Sequence, residues 1–196
     1  EYSAMPFTML GGDRPVQVQV GIVSGNYFEV MGLGAVLGRS IGSADDGPTA
    51  EPVMMLTHRY WQSAFGSDPK VLGQRFRMNG RTVTVIGVAA PAPPFPGETD
   101  MFVNLVTSPH HLDATMVHGR SHRMTDVFAR LAPGATVTQA QAELDRVASR
   151  MYTDHPENYD AAAGYAITIE PLRDALTSNA RIACSSNAVT NTTYGT

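Results

Sequence analysis

The chain has 196 residues, of which 43% are hydrophobic and 16% charged, a composition typical of a soluble globular protein. The formal net charge is −4, and the 14 Lys and Arg residues are scattered singly along the sequence. This pattern argues against nucleic acids and acidic lipid surfaces as partners, because both require concentrated positive charge. The single cysteine, Cys184, excludes an internal disulfide.

The sequence contains no apolar run of about 18 residues, so it predicts no membrane-spanning helix. The first residues lack the charged and then apolar layout of a signal peptide. Because the chain opens with Glu1 rather than Met, we expect it to be a soluble piece of a longer protein.

The first predicted elements are a strand and a short helix. Residues 2–12 show no clear period, whereas apolar and polar residues alternate from Val16 to Val23, as expected of a half-buried strand. A short helix is predicted from Asn26 to Met31, with Ser24 or Asn26 as its cap. Residues 33–41 are predicted to be an extended connection.

A polar loop at residues 43–48 is the best candidate boundary between two lobes. The continuous apolar run Val53–Leu56 predicts a strand that is buried on both faces. Thr57 is predicted to cap the following helix, His58–Phe65, and Gly66 to end it.

The strongest local signal lies between Gln74 and Ala90. Two alternating segments flank Asn79-Gly80, the dipeptide that supplies the positive φ angles of a type I′ turn, so this stretch predicts a β-hairpin. The prolines of residues 91–96 then predict an extended, irregular link, and residues 100–106 a further strand.

The remainder is predicted as loop, strand, helix and strand. Residues 108–124 are polar and without period, whereas Val127–Leu131 and Tyr165–Leu172 have the pattern of strands. Between these strands Thr138 is expected to cap the clearest helix of the chain, which buries Ala142, Leu144, Val147, Ala148 and Met151. The order of elements favours an α+β domain that is split by a second small one.

Candidate chemistry is sparse. Five potential ligands crowd into one predicted loop, but their spacing matches no standard zinc site, so a solvated polar loop is favoured over a metal site: His110, His111, Asp113, His118 and His122. A hydrolase that uses Ser24, or Asp113 with these histidines, stays formally possible, although no nucleophile elbow is present.

Other conspicuous residues favour structural roles. The glycines at positions 32, 34 and 38 match no phosphate-binding pattern and favour termination of a helix. Cys184 lies in a polar tail and is expected to be an incidental exposed thiol. The aromatic residues Tyr60, Trp61 and Phe65 are expected in a core rather than around a ligand.

Taken together, these segments resemble the periplasmic core domain of MacB-like ABC transporter permeases, within the wider FtsX-like group. The fine pattern is most similar to the permeases of acidobacteria and related soil bacteria. The resemblance rests on many short matches in the right order: residues 23–32, Leu37-Gly38-Arg39, residues 52–56, Tyr60-Trp61-Gln62, Phe65-Gly66, Asp68-Pro69, Val71-Leu72-Gly73, residues 78–81, residues 85–88, Phe95-Pro96, residues 129–134, residues 140–150 and Glu170-Pro171-Leu172.

The resemblance implies an α+β fold of two lobes. Residues 1–44 and 118–180 are expected to form a porter-like lobe of strand-helix-strand units. Residues 45–117 are expected to form an inserted Sabre-like lobe that contains the hairpin. Residues 181–196 depart from the family pattern and are expected to be a disordered or non-native tail.

The resemblance also implies a function. Such domains lie on the periplasmic side of an inner-membrane protein and relay movement of its transmembrane helices to a partner or an exported substrate. The implied partners are a second permease copy in a homodimer, a separate cytoplasmic ATPase, and a periplasmic adaptor or outer-membrane duct. No catalytic residue, cofactor or metal is implied, and neither the transported substrate nor the oligomeric state of the isolated domain can be inferred.

One alternative that is not an enzyme also stays open. A free periplasmic substrate-binding protein would present a deep cleft between its lobes, lined by Tyr27, Trp61 and Phe95.

Overall fold

The computed structural model describes residues 1–11, 14–113, 119–120, 125–159 and 166–177, and it has the mixed helix and strand content expected of an α+β fold. The chain divides into two compact units, Glu1–Arg130 and Leu131–Thr196. Among the described residues, no helix is both long and apolar enough to cross a membrane. The predicted tail, residues 181–196, lies outside the described residues.

Seven strands within the described part of the first unit form one mixed sheet: β1 (Tyr2–Leu10), β2 (Val16–Val23), β3 (Ala35–Gly38), β4 (Val53–Leu56), β5 (Arg75–Met78), β6 (Arg81–Ala89) and β7 (Met101–Asn104). The helices are α1 (Tyr27–Met31), α2 (His58–Phe65), α3 (Pro109–Leu112) and, in the second unit, α4 (Val137–Asp154). Short 3-10 turns cover Ser43–Asp45, Pro69–Val71 and Leu105–Thr107.

The sheet closes on itself. Its strand order is β3-β6-β4-β7-β2-β1-β5, and β5 also pairs with β6. All strands except β3 therefore form a ring, to which β3 is added along the far half of β6. The ring is closed where Met9 pairs with Met78 and Leu10 with Arg77.

The hairpin prediction is confirmed. β5 and β6 pair in antiparallel register from Arg75–Thr84 to Met78–Arg81. The turn residues Asn79 and Gly80 have φ angles of 45° and 86°, as a type I′ turn requires.

Two hydrophobic clusters lie on the two faces of the sheet. Alternation sends Met54 and Leu56 of β4 into the cluster inside the ring, whereas Val53 and Met55 join the cluster on the other face, which packs against α1. All four residues of β4 are buried, which confirms the prediction of a strand buried on both faces.

The local predictions for α2 are also confirmed. Thr57 caps this helix by accepting a hydrogen bond from the Tyr60 backbone N–H, and Gly66 ends it in the left-handed conformation. α1 lies where it was expected, but neither Ser24 nor Asn26 provides a side-chain cap to its backbone.

Two strands were missed, for different reasons. β1 contains Pro6, which cannot donate to a sheet ladder, yet the strand pairs with β2 along residues 2–9. β3 was predicted only as an extended connection, and it becomes a strand because it pairs with β6 around an irregularity near Val36.

Two predicted strands were wrong. Residues 127–131 have no strand structure, and the Val127 side chain is 80% exposed. The described part of the last predicted strand, residues 166–171, is irregular, and residues 172–177 are helical. In both cases the apolar pattern is present, but no neighbouring strand pairs with it in the described residues.

The cap predicted for α4 was also wrong by two residues. Thr136, rather than Thr138, caps the helix, and the side chains of Thr136 and Gln139 form a reciprocal capping box. Of the apolar side predicted for this helix, Ala148 is buried, whereas Val147 is 47% exposed.

The predicted lobe boundaries differ from the observed division of the chain. β1–β3 come from the predicted porter-like lobe and β4–β7 from the predicted Sabre-like lobe, yet all seven lie in one sheet. The chain divides into its two compact units between Arg130 and Leu131. The assignment of residues to two lobes stays a prediction.

The turn of the hairpin makes a test of the fold possible. Because Gly80 has a φ of 86°, we expect Gly80→Ala to lower the free energy of unfolding by about 1–2 kcal/mol. Urea denaturation followed by circular dichroism measures this change. Gly97→Ala is the matched control, since its added Cβ would lie in open space, and an equal loss in both variants would contradict the expectation.

Candidate functional site

The start of β1 is anchored to two distant parts of the first unit. The backbone of Tyr2 exchanges hydrogen bonds with that of Asp126, at 2.9 and 2.8 Å, and the Ser24 N–H donates to the Glu1 carbonyl at 3.3 Å. These bonds fix the first residues of β1 between the end of β2 and the segment that closes the unit.

Aromatic rings reinforce the same place. Tyr2 is 1% exposed and stacks on Tyr27 of α1 with ring centroids 5.9 Å apart. Phe128 lies edge-on to both tyrosines, at 6.5 and 6.0 Å, and to Phe95 at 5.7 Å. We call Tyr2, Tyr27, Phe95 and Phe128 the aromatic junction. It joins β1, α1, the proline-rich link and residues 126–130.

The phenol groups of the junction are not acid–base groups at neutral pH. Burial raises the pKa of Tyr27 above its ordinary value, with a smaller contribution from Tyr2. Burial also raises the pKa of Tyr2, and its hydrogen bond to the Thr99 hydroxyl, at 2.9 Å, opposes that shift only in part. Both groups stay protonated, and their role is packing.

A glycine leaves the space that the Tyr2 ring needs. A Cβ at Gly21 of β2 would lie 2.7 Å from Cε2 of Tyr2 and 3.0 Å from Cδ1 of Phe102. These distances are too short for carbon atoms, so any larger side chain would displace a ring.

Arg130 ties the last segment of the unit to α1. Its Nε donates a hydrogen bond of 2.8 Å to the carbonyl of Val30, and its Nη2 lies 3.5 Å from the carbonyl of Glu29. A cation near the last carbonyls of a helix is favourable, because those carbonyls have no partner within the helix.

A buried asparagine organises the connection between β3 and β4. Asn104 is fully buried, and its Oδ1 accepts hydrogen bonds from the Val53 N–H and the Thr107 hydroxyl. Its Nδ2 donates to the carbonyls of Asp45 and Glu51, at 3.0 and 2.8 Å. This one side chain therefore holds a connection that has little regular structure of its own.

An ion pair completes that connection. Arg39 makes two hydrogen bonds to the carboxylate of Asp45, at 2.6 and 2.9 Å, and the Gly42 N–H adds a third. The Arg39 bonds are the main cause of a lowered pKa at Asp45. The Asp46 carboxylate in turn accepts a hydrogen bond from the Gly25 N–H at 2.7 Å, which joins the connection to the start of α1.

Among the potential ligands that crowd residues 110–122 of the sequence, the structure shows the contacts of one histidine in detail. The imidazole of His111 bridges two buried serines: its Nε2 lies 2.7 Å from the Ser3 hydroxyl and its Nδ1 lies 2.9 Å from the Ser108 hydroxyl. It thereby links β1 to α3. His118 and His122 lie outside the described residues, and the described ones contain no cluster of three potential metal ligands.

The Ser3–His111 pair lacks the features of a hydrolytic site. Ser3 is only 4% exposed, and the second nitrogen of His111 faces a serine rather than a carboxylate. Ser24, the serine that the sequence left open as a nucleophile, bonds through its hydroxyl to Asn26. A structural role explains these contacts without a reaction.

The aromatic residues considered for a ligand cleft do not share one environment. Tyr27 and Phe95 both contact Phe128 in the aromatic junction. Trp61 packs against the cluster inside the ring, together with Tyr60 and Phe65, and its indole N–H donates to the Asp68 carbonyl. The prediction that Tyr60, Trp61 and Phe65 pack on a core is therefore confirmed.

Sequence reasoning missed the members of the junction that matter most. Tyr2 lies in a segment without a clear period, and Phe128 lies in a segment that was assigned to a strand. Only the apolar character of these residues was visible in the sequence, because their contacts join positions more than 100 residues apart.

Comparisons with known proteins agree on one family. Residues 2–147 match the sequence profile of the MacB-like periplasmic core domain. No curated protein sequence matches the chain significantly.

Solved structures show the same fold at low sequence identity. The periplasmic region of MacB from Actinobacillus actinomycetemcomitans is 15% identical with a TM-score of 0.56, and the match covers 95% of this chain and 75% of that one. The extracellular domain of the noncanonic ABC-type transporter YknZ from Gram-positive bacteria is 16% identical with a TM-score of 0.52, covering 79% and 74%. A domain of a protein described as a permease, from Porphyromonas gingivalis, is 18% identical with a TM-score of 0.50, covering 79% and 66%.

The space beside Tyr2 provides a test of the aromatic junction. We expect Gly21→Ala to lower the free energy of unfolding by roughly 1–3 kcal/mol, because the added methyl group displaces the ring of Tyr2 or Phe102. Urea denaturation measures the change. Gly34→Ala is the control, since its Cβ meets nothing within 4 Å. An unchanged stability of Gly21→Ala would show that the junction is loosely packed.

The bridge between β1 and α3 predicts a dependence on pH. Burial lowers the pKa of His111, neighbouring His110 adds to this, and Glu1 partly opposes it. A lowered pKa in the folded state means that the unfolded state binds more protons, so stability is complete above the unfolded value of about 6.5 and falls as the pH drops below it.

The measurement is the melting temperature between about pH 7.5 and about pH 5.5. The unmodified chain should lose stability over this range, and His111→Gln, whose amide reaches the position of Nε2 but cannot titrate, should lose less. A slope that is the same in both proteins would rule out His111 as the cause.

Proposed function

The chain belongs to the MacB-like periplasmic core domain family, and from that premise we propose that it relays movement of a permease's transmembrane helices to a periplasmic partner or an exported substrate. The family is a periplasmic domain of ABC transporter permeases. In this proposal the work of the domain is mechanical, and its residues have no catalytic part.

The observation that carries the proposal is the course of β1. One end of this strand lies in the aromatic junction, and the other end closes the ring by pairing with β5 of the hairpin. Nine residues of strand span about 30 Å. A displacement of the junction would therefore act on the hairpin through one continuous strand.

The pairing of β1 favours transmission over deformation. Its antiparallel register with β2 runs without a break from Tyr2–Val23 to Met9–Val16. A force along β1 loads all of these backbone hydrogen bonds together rather than one after another. Ring closure adds a second support, because β1 is paired on its other side with β5 near the hairpin.

The junction has the contacts that an entry point for movement needs. Tyr2, Asp126 and Arg130 connect the start of β1 to α1 and to the end of the unit through backbone bonds and a guanidinium. These are directional contacts with fixed geometry, so a displacement of residues 126–130 would be felt at Tyr2 rather than absorbed in a loose loop.

The wider arrangement is part of the same proposal. The domain would lie on the periplasmic side of an inner-membrane permease, which pairs with a second copy of itself and with a separate cytoplasmic ATPase. A periplasmic adaptor or an outer-membrane duct would receive the movement. We also keep as a proposal the assignment of residues 1–44 and 118–180 to a porter-like lobe and of residues 45–117 to a Sabre-like lobe.

The test uses the full-length permease with its ATPase. A nitroxide label on Thr82→Cys of the hairpin, in a Cys184→Ser background, reports the distance between two copies by pulsed electron resonance. We expect this distance to change when ATP binds. Phe128→Ala, which removes the ring that contacts Tyr2, Tyr27 and Phe95, should reduce or abolish the change while ATP hydrolysis continues.

Val127→Ala is the matched control, because the neighbouring Val127 side chain is 80% exposed and contributes little to the packing of the junction. It should keep both the distance change and the ATPase activity. A distance change that persists in a folded Phe128→Ala protein would contradict relay through the junction, and no change in the unmodified permease would contradict the relay itself.

A further inference from the structure

The outer face of the hairpin carries arginines that the fold does not use. Along β5, Phe76 and Met78 point into the cluster inside the ring, whereas Arg75 and Arg77 are exposed on the opposite face. Each of these arginines lies directly across from a threonine of β6: Arg75 pairs with Thr84 and Arg77 with Thr82.

The segment around the hairpin is positively charged in an otherwise acidic protein, and Arg75 and Arg77 are the charges of β5 on this face. Residues 69–97 contain Lys70, Arg75, Arg77 and Arg81 and no Asp or Glu, while the whole chain has a net charge of −4. Among the described residues of this unit, the ion pairs of arginine involve Arg39 and Arg59, and no carboxylate pairs with Arg75 or Arg77. The two guanidiniums therefore retain their capacity for a carboxylate.

The spacing of the arginines suggests the shape of what they would bind. Residues i and i+2 of a strand lie about 6.6–6.8 Å apart on one face, and the same distance separates alternate side chains of any extended peptide. An extended segment with carboxylates at alternate positions would thus bring one acid to each guanidinium, which can bind it through two parallel hydrogen bonds.

We propose that the outer face of the hairpin docks an extended acidic segment of a protein partner, with Arg75 and Arg77 each binding one carboxylate. The hydroxyl groups of Thr82 and Thr84, in the neighbouring strand, supply further donors and acceptors for its polar side chains. The pairing of β5 with both β1 and β6 holds the two arginines at a fixed separation before the partner arrives.

Anionic lipid headgroups also bind arginine, but this face does not favour them. Adsorption to a bilayer is strengthened by apolar side chains that enter it, and β5 keeps both of its own apolar residues buried. Leu10, beside Arg77 on β1, is the large apolar side chain exposed here, at 41%.

The inference goes beyond the proposed relay and does not require it. Binding would be measured on the chain alone, without membrane helices or ATP. A failure to bind acidic segments would leave the relay intact, and a failure of the relay would leave the docking face intact.

The experiment measures fluorescence anisotropy with a fluorescein-labelled peptide in which Glu and Thr alternate. A second peptide of identical composition has its Glu residues contiguous. We expect the alternating peptide to bind more tightly, and Arg75→Gln with Arg77→Gln to weaken its binding by about tenfold. The matched control replaces Arg146 and Arg150 of α4 by Gln, which removes the same charge elsewhere and should change binding by less than about twofold.

Four results would overturn the proposal. An equal loss in both double variants, or equal binding of both peptides, would show that only overall charge matters. Binding to phosphatidylglycerol vesicles that depends on Arg75 and Arg77, with no peptide binding, would identify a membrane as the occupant. Self-association in sedimentation velocity that Arg75→Gln with Arg77→Gln removes would identify a second copy of the chain.

Discussion

The pairing of β5 with β1 is the constraint on which the rest of the first unit depends. The hairpin turn already places β5 against β6, and β1 already pairs with β2. When Met9 and Leu10 also pair with the end of β5, the sheet becomes a ring with one shared interior. Apolar residues from strands far apart in sequence can then pack on one another inside the ring, which explains how the described part of this unit buries a substantial core.

The closed sheet leaves two irregular connections that other contacts must stabilise. Residues 39–52 and 91–100 leave the sheet and return to it, and apart from the 3-10 turn Ser43–Asp45 neither stretch has regular structure that pairs its backbone groups. In the first stretch the side chains of Asn104 and Asp45 bond to backbone groups, and the Asp46 carboxylate joins the stretch to the Gly25 N–H. In the second stretch Phe95 packs on Phe128 in the aromatic junction. Polar side chains and aromatic packing thus hold these connections in place, as strand pairing holds the ring.

Local signals in the sequence were reliable where the structure is local. The Asn79-Gly80 turn, the Thr57 cap and the continuous apolar run of β4 each depend on neighbours within a few residues, and each was predicted correctly. β1 pairs with the next strand of the chain, but Pro6 and the lack of a clear period obscured it, whereas β3 depends on β6, which is distant in sequence.

The same distinction explains the predictions that failed and the site that was missed. Residues 127–131 have an apolar pattern but find no strand to pair with among the described residues, and Phe128 instead joins an aromatic cluster. The bridge from Ser3 through His111 joins residues 108 positions apart. Composition could show that these groups exist, but only the closed sheet brings them together.

The arginines of the hairpin show that a charged surface can be missed when basic residues are counted only along the sequence. The basic residues are scattered singly in the sequence, and that scatter argued against any patch. A strand period of two, however, places Arg75 and Arg77 on one face, and Phe76 between them turns inward to the ring. Two of the four residues of β5, Phe76 and Met78, are buried and stabilise the fold. The other two, Arg75 and Arg77, form no ion pair among the described residues. Since the hairpin folds through its turn, its ladder and its apolar face, the arginine face is free to serve a partner, and it does so from the strand that closes the ring.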